Sequence, residues 1–182
     1  AQWTITARNA FNGVFLWRNR LSSWTTIMRR FRSGPVQLQR LLVTNGDRVF
    51  VTLGLDAPVS VLDAATGEEI TVLAGTEKAE EFVLADGVLY VQIGEDGAEH
   101  ALIERGDARG VDYKTTKLIK AVNVDTGTTL WRWPADKTAE IMPRTLAVSD
   151  GNVFFQESGE TVCLDAATGQ PLWQTNLVAK TP

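Results

Sequence analysis

Asp165–Trp173, with the sequence DAATGQPLW, is the clearest of four related segments in this chain of 182 residues. The others are Asn9–Trp17 (NAFNGVFLW), Asp63–Thr71 (DAATGEEIT) and Asn123–Trp131 (NVDTGTTLW). Each has Asp or Asn four residues before a glycine; three have tryptophan four residues after it, whereas the second has Thr71. The glycines lie 54, 60 and 42 residues apart. The shortest interval is close to the ~40–45 residues of a four-stranded propeller blade.

The chemistry of these segments is that of a tight turn followed by a strand. The Asp or Asn side chain can accept backbone N–H groups ahead of it, and glycine takes the left-handed position. Tryptophan then falls at a fixed place, where it can pack between adjacent sheets and give its N–H to a carbonyl. The residues predicted to build these structural turns are Asp63, Thr66, Gly67, Asn123, Gly127, Trp131, Asp165, Thr168, Gly169, Trp173, Gly13 and Trp17. We expect the three tryptophans to be mostly buried in equivalent sites, and Thr71 to leave a weaker contact.

A second repeated element precedes three of the turns. It is found at Leu42–Val51 (LVTNGDRVFV), Phe82–Val91 (FVLADGVLYV) and Leu146–Phe155 (LAVSDGNVFF). Asn-Gly or Asp-Gly between two apolar, β-forming runs indicates a hairpin, because the turn needs positive φ angles. Each repeat unit is therefore predicted to hold four strands, two around this hairpin and two around the Asp/Asn turn.

The turns resemble the pyrroloquinoline-quinone-type (quinoprotein-like) β-propeller repeat, whose turn looks like Ala-x-Asp-x-x-Thr-Gly-x-x-x-Trp. The resemblance is clearest at Asp165–Trp173 and covers roughly residues 37–177, with a half-repeat at 3–17. Cys163 replaces the leading alanine of the last copy, and Asn12 replaces threonine in the first. The resemblance implies an all-β fold of four-stranded antiparallel β-propeller blades. Within this class the repeat does not guarantee a quinone cofactor.

The repeats predict about three and a half blades, which is an incomplete ring. The expected units are a half-blade at 1–17, a basic insertion at 18–39, and blades at about 40–75, 80–135 and 143–177. Because the chain starts inside a blade, we expect it to be a fragment of a larger protein. Open propeller edges invite pairing, so self-association is expected through Trp3–Trp17 or the tail Leu177–Pro182. The alternative is a monomer in which the basic insertion covers the open side.

Charge is unevenly distributed along the chain. Residues 1–46 carry seven Arg and no Asp, Glu or Lys, whereas residues 47–182 carry −11, which gives a net charge of −4. In the insertion, Arg29, Arg30 and Arg32 are candidates for binding an anion. The alternative is a helix or loop packed on the propeller, with its Arg side chains solvated or paired. No nucleic-acid partner is expected, because the overall charge is negative and no Lys/Arg face repeats.

The sequence offers little for catalysis or metal binding. With one His and one Cys, it has no disulfide framework and no Cys/His metal site. We expect Cys163 to be a buried thiol in a strand. A second insertion, Gly94–Thr116, contains His100 and several carboxylates; it is expected to be a solvated hairpin, because it lacks the ordered spacing of a calcium loop. No catalytic, cofactor-binding or metal-binding residues are therefore assigned.

The leading functional hypothesis is a non-catalytic binding or scaffolding module, whose partner is a protein or the rest of a parent chain. Two alternatives stay open: part of a quinone-dependent dehydrogenase, or a recognition domain attached to an enzyme elsewhere in the parent. Enzymes of the resembled family stack the quinone on tryptophan beside a Cys-Cys pair, calcium and an aspartate base. One cysteine and inter-blade tryptophans make pyrroloquinoline quinone unexpected here. Short apolar runs predict no membrane span, and a periplasmic or exported location is favoured.

Overall fold

The structure, a computed structural model, describes residues 4–21, 41–54, 56–94, 116–136 and 138–176. Every regular element in these ranges is a β-strand. The strands are β1 (Thr4–Arg8), β2 (Phe15–Arg20), β3 (Leu42–Thr44), β4 (Arg48–Thr52), β5 (Val59–Asp63), β6 (Glu69–Leu73), β7 (Ala79–Ala85), β8 (Val88–Gly94), β9 (Thr116–Asn123), β10 (Thr129–Trp133), β11 (Ala139–Glu140), β12 (Ala147–Ser149), β13 (Asn152–Glu157), β14 (Glu160–Asp165) and β15 (Pro171–Asn176).

The strands form four antiparallel sheets, each built from neighbours in sequence. We call β1–β2 the half-blade, β3–β6 blade 1, β7–β10 blade 2 and β12–β15 blade 3. The short strand β11 adds to blade 2 by pairing with β9. The sheets do not close into a ring among the described residues, so the predicted all-β partial propeller is confirmed.

The hairpins follow from the dipeptides at their tips. In the turns Asp86–Gly87 and Asp150–Gly151, both residues have positive φ, as expected for a type I′ turn. That turn has the same twist as the strands it joins, and it fixes their register. In blade 1 the Asn45 side chain instead accepts the backbone N–H of Arg48 at 3.2 Å.

Strand alternation sends apolar side chains to both faces of each complete sheet, so the cores lie between blades. In β8, Leu89 and Val91 join Phe50 of blade 1 in one buried cluster. The intervening Tyr90 joins Phe155 of blade 3 in the next. Period-two alternation places neighbouring residues on opposite faces, which lets one strand contribute to two cores.

Part of the sequence-based reasoning concerns residues outside the described ranges. These are the anion-binding candidates Arg29, Arg30 and Arg32, the acidic insertion with His100, and the tail from residue 177. Among the described residues, no helix has the length and apolar character needed to cross a membrane.

Candidate functional site

The four Asp/Asn turns share one geometry. In blade 3, Asp165 Oδ1 accepts the backbone N–H groups of Ala167 at 3.1 Å and Thr168 at 2.8 Å, and the Thr168 hydroxyl at 2.7 Å. The N–H of Gly169 closes the turn by donating to the Asp165 carbonyl at 2.8 Å. Asn9, Asp63 and Asn123 accept the equivalent backbone bonds in their own turns. One side-chain oxygen thus holds each turn, whether it belongs to a carboxylate or an amide.

Two tryptophans join one blade to the turn of the next. Trp17 Nε1 donates to the Ala64 carbonyl at 2.9 Å, and Trp131 Nε1 donates to the Ala166 carbonyl at 2.9 Å. Each acceptor is the residue directly after the turn's aspartate. The rings cover the turn glycines so closely that a Cβ on Gly67 would lie 2.4 Å from Trp17. We call this arrangement of tryptophan, carbonyl and glycine a Trp–turn joint.

Trp173 differs from its two counterparts. Trp17 and Trp131 are 7% and 9% exposed, whereas Trp173 is 46% exposed. The expectation that all three are mostly buried is therefore wrong for Trp173. It stacks obliquely on Phe154 of its own blade, with ring centroids 6.0 Å apart, and no described turn lies over it. Burial of this tryptophan comes from the following blade, and no described sheet follows blade 3.

The joint between blades 1 and 2 uses a different side chain. Thr71 stands where the motif has tryptophan, and Gly127 of the next turn meets only Leu73, at 3.8 Å from an added Cβ. The Arg48 guanidinium instead donates to the Val124 carbonyl at 3.2 Å and to Asp125 at 2.7 Å. Val124 is the counterpart of Ala64 and Ala166, so arginine satisfies the carbonyl that tryptophan satisfies elsewhere.

The hydrogen bonds that the turn aspartates accept lower the pKa of their carboxyl groups. The Thr168 hydroxyl, then the Thr168 and Ala167 N–H groups, lower the pKa of Asp165 from its ordinary value of 3.8. The Thr66 N–H, then the Thr66 hydroxyl, lower the pKa of Asp63 in the same way. A lowered pKa in the folded state contributes stability above 3.8, and that contribution is lost as pH falls through the folded value.

We expect the double variant Asp63→Asn/Asp165→Asn to melt close to the parent at pH 7, because Asn9 and Asn123 already hold the same turn. Between about pH 5 and pH 3 its melting temperature should fall less than that of the parent, since it lacks the two carboxylates that lose stability on protonation. Thermal unfolding across this range measures both effects. Asp136→Asn, at an exposed aspartate outside the turns, is the control and should follow the parent.

A β-bulge follows each turn and exposes an aliphatic side chain. In the strand pairs β1–β2, β5–β6, β9–β10 and β14–β15, the register shifts so that one residue of the later strand has no partner. That residue is the third after the turn glycine in all four copies. The four bulge residues, which we call the rim residues, are Leu16, Ile70, Leu130 and Leu172.

The bulge explains why these aliphatic residues face water. An extra residue in one strand breaks the alternation, so its side chain is turned away from the packed face. The rim residues are 44–55% exposed, although leucine and isoleucine are normally among the most buried residue types. Each lies on the last strand of its sheet, and β6, β10 and β15 pair with no further strand among the described residues. Repetition distinguishes this surface from the isolated apolar residues found on any protein.

Blade 2 also contains buried polar side chains where residues 95–115 connect β8 to β9. Lys117 is fully buried, and its Nζ lies 2.5 Å from Glu80 Oε2. Gln92 is fully buried as well, and its amide has no hydrogen-bond partner within the described ranges. Gln92 lies two residues before the end of β8, and no sequence pattern pointed to it.

The described residues contain no group of three or more His, Cys, Asp or Glu side chains positioned to hold a metal. Cys163 lies in β14, 1% exposed, opposite Trp173. Burial raises the pKa of its thiol, which disfavours the reactive thiolate. Its position is that of a packed side chain.

A protein-family model described as outer membrane protein assembly factor BamB matches residues 115–182. No curated protein matches the sequence. Among solved structures, BamB from Moraxella catarrhalis is similar with a TM-score of 0.51 and 14% identity, over 94% of this chain and 42% of that one. Quinohemoprotein alcohol dehydrogenase from Comamonas testosteroni gives 0.57 and 18%, over 97% and 32%. Sqt1 from Saccharomyces cerevisiae gives 0.52 and 12%, over 95% and 42%.

The predicted resemblance to quinoprotein-like propeller repeats is confirmed by the family model and these neighbours. Identities of 12–18% establish the fold alone. This chain spans less than half of each of these structures, between 32% and 42% of their lengths.

Proposed function

We propose that the chain is a non-catalytic protein-binding or scaffolding module that contacts its partner through the rim residues. The observation that carries this proposal is the bulge that recurs in all four sheets and exposes an aliphatic residue each time. A row of separate apolar side chains at blade spacing suits an extended protein partner. The outer edges of the last strands could add main-chain hydrogen bonds to an extended segment of that partner.

The joints argue against the alternative of a quinone-dependent enzyme. Trp17 and Trp131 have their indole N–H groups bonded to carbonyls, and their rings lie over turn glycines. A ring buried in this way is not available to stack a cofactor. The alternative keeps some support from the fold shared with a quinohemoprotein alcohol dehydrogenase. Family-model similarity to an outer membrane assembly factor supports a protein partner and an exported location.

Site-specific photo-crosslinking tests the binding role. A photoreactive residue is placed at Ile70 or Leu130 on the rim, or, as a control, at Asp150 in the β12–β13 hairpin, at the other edge of a sheet from the rim strand. We expect both rim positions, in cells that make the protein, to crosslink to one shared species that the control does not capture. Equal adducts at all three positions, or none, would refute the assignment. Leu130→Ser should reduce the adduct at Ile70 while changing the free energy of unfolding by less than about 0.5 kcal/mol, because it is a surface change.

Cofactor titration tests the enzymatic alternative separately. Pyrroloquinoline quinone, with and without calcium, is added to the protein while tryptophan fluorescence is followed. We expect no saturable quenching, because the rings of Trp17 and Trp131 are held in joints and the described residues offer Trp173 no second wall against which a quinone could stack. Saturable quenching of the tryptophan fluorescence with a defined stoichiometry would favour the hypothesis of a quinone-dependent enzyme.

A further inference from the structure

Among the described residues, one tryptophan has no turn over it and one turn has no tryptophan over it. Trp173 is 46% exposed and has no described turn over it. At the other end, the turn Asn9–Gly13 has the same geometry as the turns that receive tryptophan, yet no atom of the described ranges lies within 4 Å of a Cβ placed on Gly13. Phe11 in this turn is 98% exposed. The described part of the chain thus carries both halves of a third Trp–turn joint, separated by blades 1–3.

We propose that Trp173 of one copy docks on the Asn9–Gly13 turn of a second copy, so that the chain associates head to tail. In the two observed joints, the indole donates to the residue directly after the turn's aspartate. The equivalent acceptor in the first turn is the Ala10 carbonyl. A second copy is the occupant because it supplies this carbonyl together with an uncovered glycine.

Charge complementarity supports contact between these two ends. Residues 4–21 contain three arginines and no acidic residue. Residues 138–176 contain five acidic residues and one arginine. The opposite net charges of the two segments favour their association and disfavour the pairing of two half-blades or of two copies of blade 3.

Head-to-tail contacts close a ring when the rotation per copy allows it. Two copies would bring together six larger sheets and two two-stranded sheets, with the Trp173 joint made twice. Propellers typically contain about four to eight blades, so this number of sheets is compatible with closure. The rim residues stay on the outside, and the proposal does not rest on the protein-binding role assigned to them.

Sedimentation velocity of the complete chain tests the proposal with two variants. Trp173→Ala removes the indole. Gly13→Ala adds a Cβ that would block the incoming ring, because in the two observed joints a Cβ on the turn glycine would lie only 2.4–2.6 Å from the tryptophan. We expect the parent to sediment as a dimer and each variant to dissociate at least about 30-fold more readily, as is typical of a lost interfacial tryptophan. Gly87→Ala is the matched control, since Gly87 has φ +74° against +71° for Gly13 and equally open surroundings. It should dimerise like the parent.

Mixing the two variants separates this joint from other modes of association. The Gly13→Ala copy keeps Trp173, and the Trp173→Ala copy keeps an open turn, so one intact joint can form between them. We expect the mixture to dimerise more tightly than either variant alone. A monomeric parent would overturn the proposal and point to coverage of Trp173 by the same chain. Equal dimerisation of all variants, or no recovery on mixing, would overturn it as well. None of these outcomes depends on the crosslinking of the rim.

Discussion

Gly169→Ala is expected to destabilise the protein by about 4 kcal/mol, one of the largest effects of a single methyl group in this fold. A Cβ at this position would lie 2.6 Å from the Trp131 ring, and the φ of Gly169 is +70°. Left-handed backbone costs a non-glycine residue about 1 kcal/mol or more. The ring must also leave its site, and loss of a buried tryptophan's packing costs about 3 kcal/mol or more. Chemical denaturation of the purified chain gives the free energy of unfolding.

Gly127→Ala is the matched control for this experiment. It occupies the same place in its own turn with φ +69°, but its added Cβ would meet only Leu73, at 3.8 Å. The same backbone strain is therefore introduced without displacing a ring, and a loss of about 1 kcal/mol is expected. Equal losses in the two variants would mean that strain alone determines the cost and that the joint contributes little.

The turn glycines could be predicted from the sequence, but which tryptophan packs on which turn could be seen only in the structure. The spacing of Asp/Asn, glycine and tryptophan predicted turns, strands and a propeller, because each of these follows from local chemistry. Which tryptophan is covered depends on whether another sheet follows it. Trp173 matches the motif better than Trp17 does, yet it is the exposed one. A local pattern identifies a side chain that can pack between blades, and the neighbouring blade determines whether it does.

The contact of Arg48 and the exposure of the rim residues are two further features that the sequence pattern does not predict. Arg48 lies next to the Asn45–Gly46 hairpin, far in sequence from the Val124 carbonyl it binds, so no local pattern connects the two. The rim residues were visible as an aliphatic residue three positions after every turn glycine, in all four copies. Alternation alone would not predict their exposure, because it depends on a bulge that shifts the strand by one residue.

The buried polar residues of blade 2 lie beyond sequence reasoning for a different reason. Lys117 and Glu80 are 37 residues apart, on either side of the acidic insertion, and the sequence alone does not say which carboxylate meets this lysine. The structure brings them together because β7 and β9 both flank β8. The bulge between Ala79 and Glu81 places Glu80 outside the regular register of β7.

This pair carries the second large prediction. Lys117→Met leaves the Glu80 carboxylate without its ammonium partner, and the side chain of Glu80 is only 14% exposed. Removing one member of a buried ion pair typically costs about 3–5 kcal/mol, because the remaining charge cannot be solvated. We expect a loss in that range for Lys117→Met, measured by chemical denaturation at neutral pH.

The double variant Lys117→Met/Glu80→Met decides whether that loss comes from the unpaired charge or from the shape of the site. A buried pair replaced by apolar residues of similar volume is often neutral or stabilising, since the desolvation cost of both ions disappears. We therefore expect the double variant to recover most of the stability lost in Lys117→Met. If the two changes were additive, Lys117 would act through packing against its neighbours rather than through Glu80. The direct contact between Lys117 Nζ and Glu80 Oε2 favours the charge-based account, because the ammonium is the partner that the carboxylate would lose.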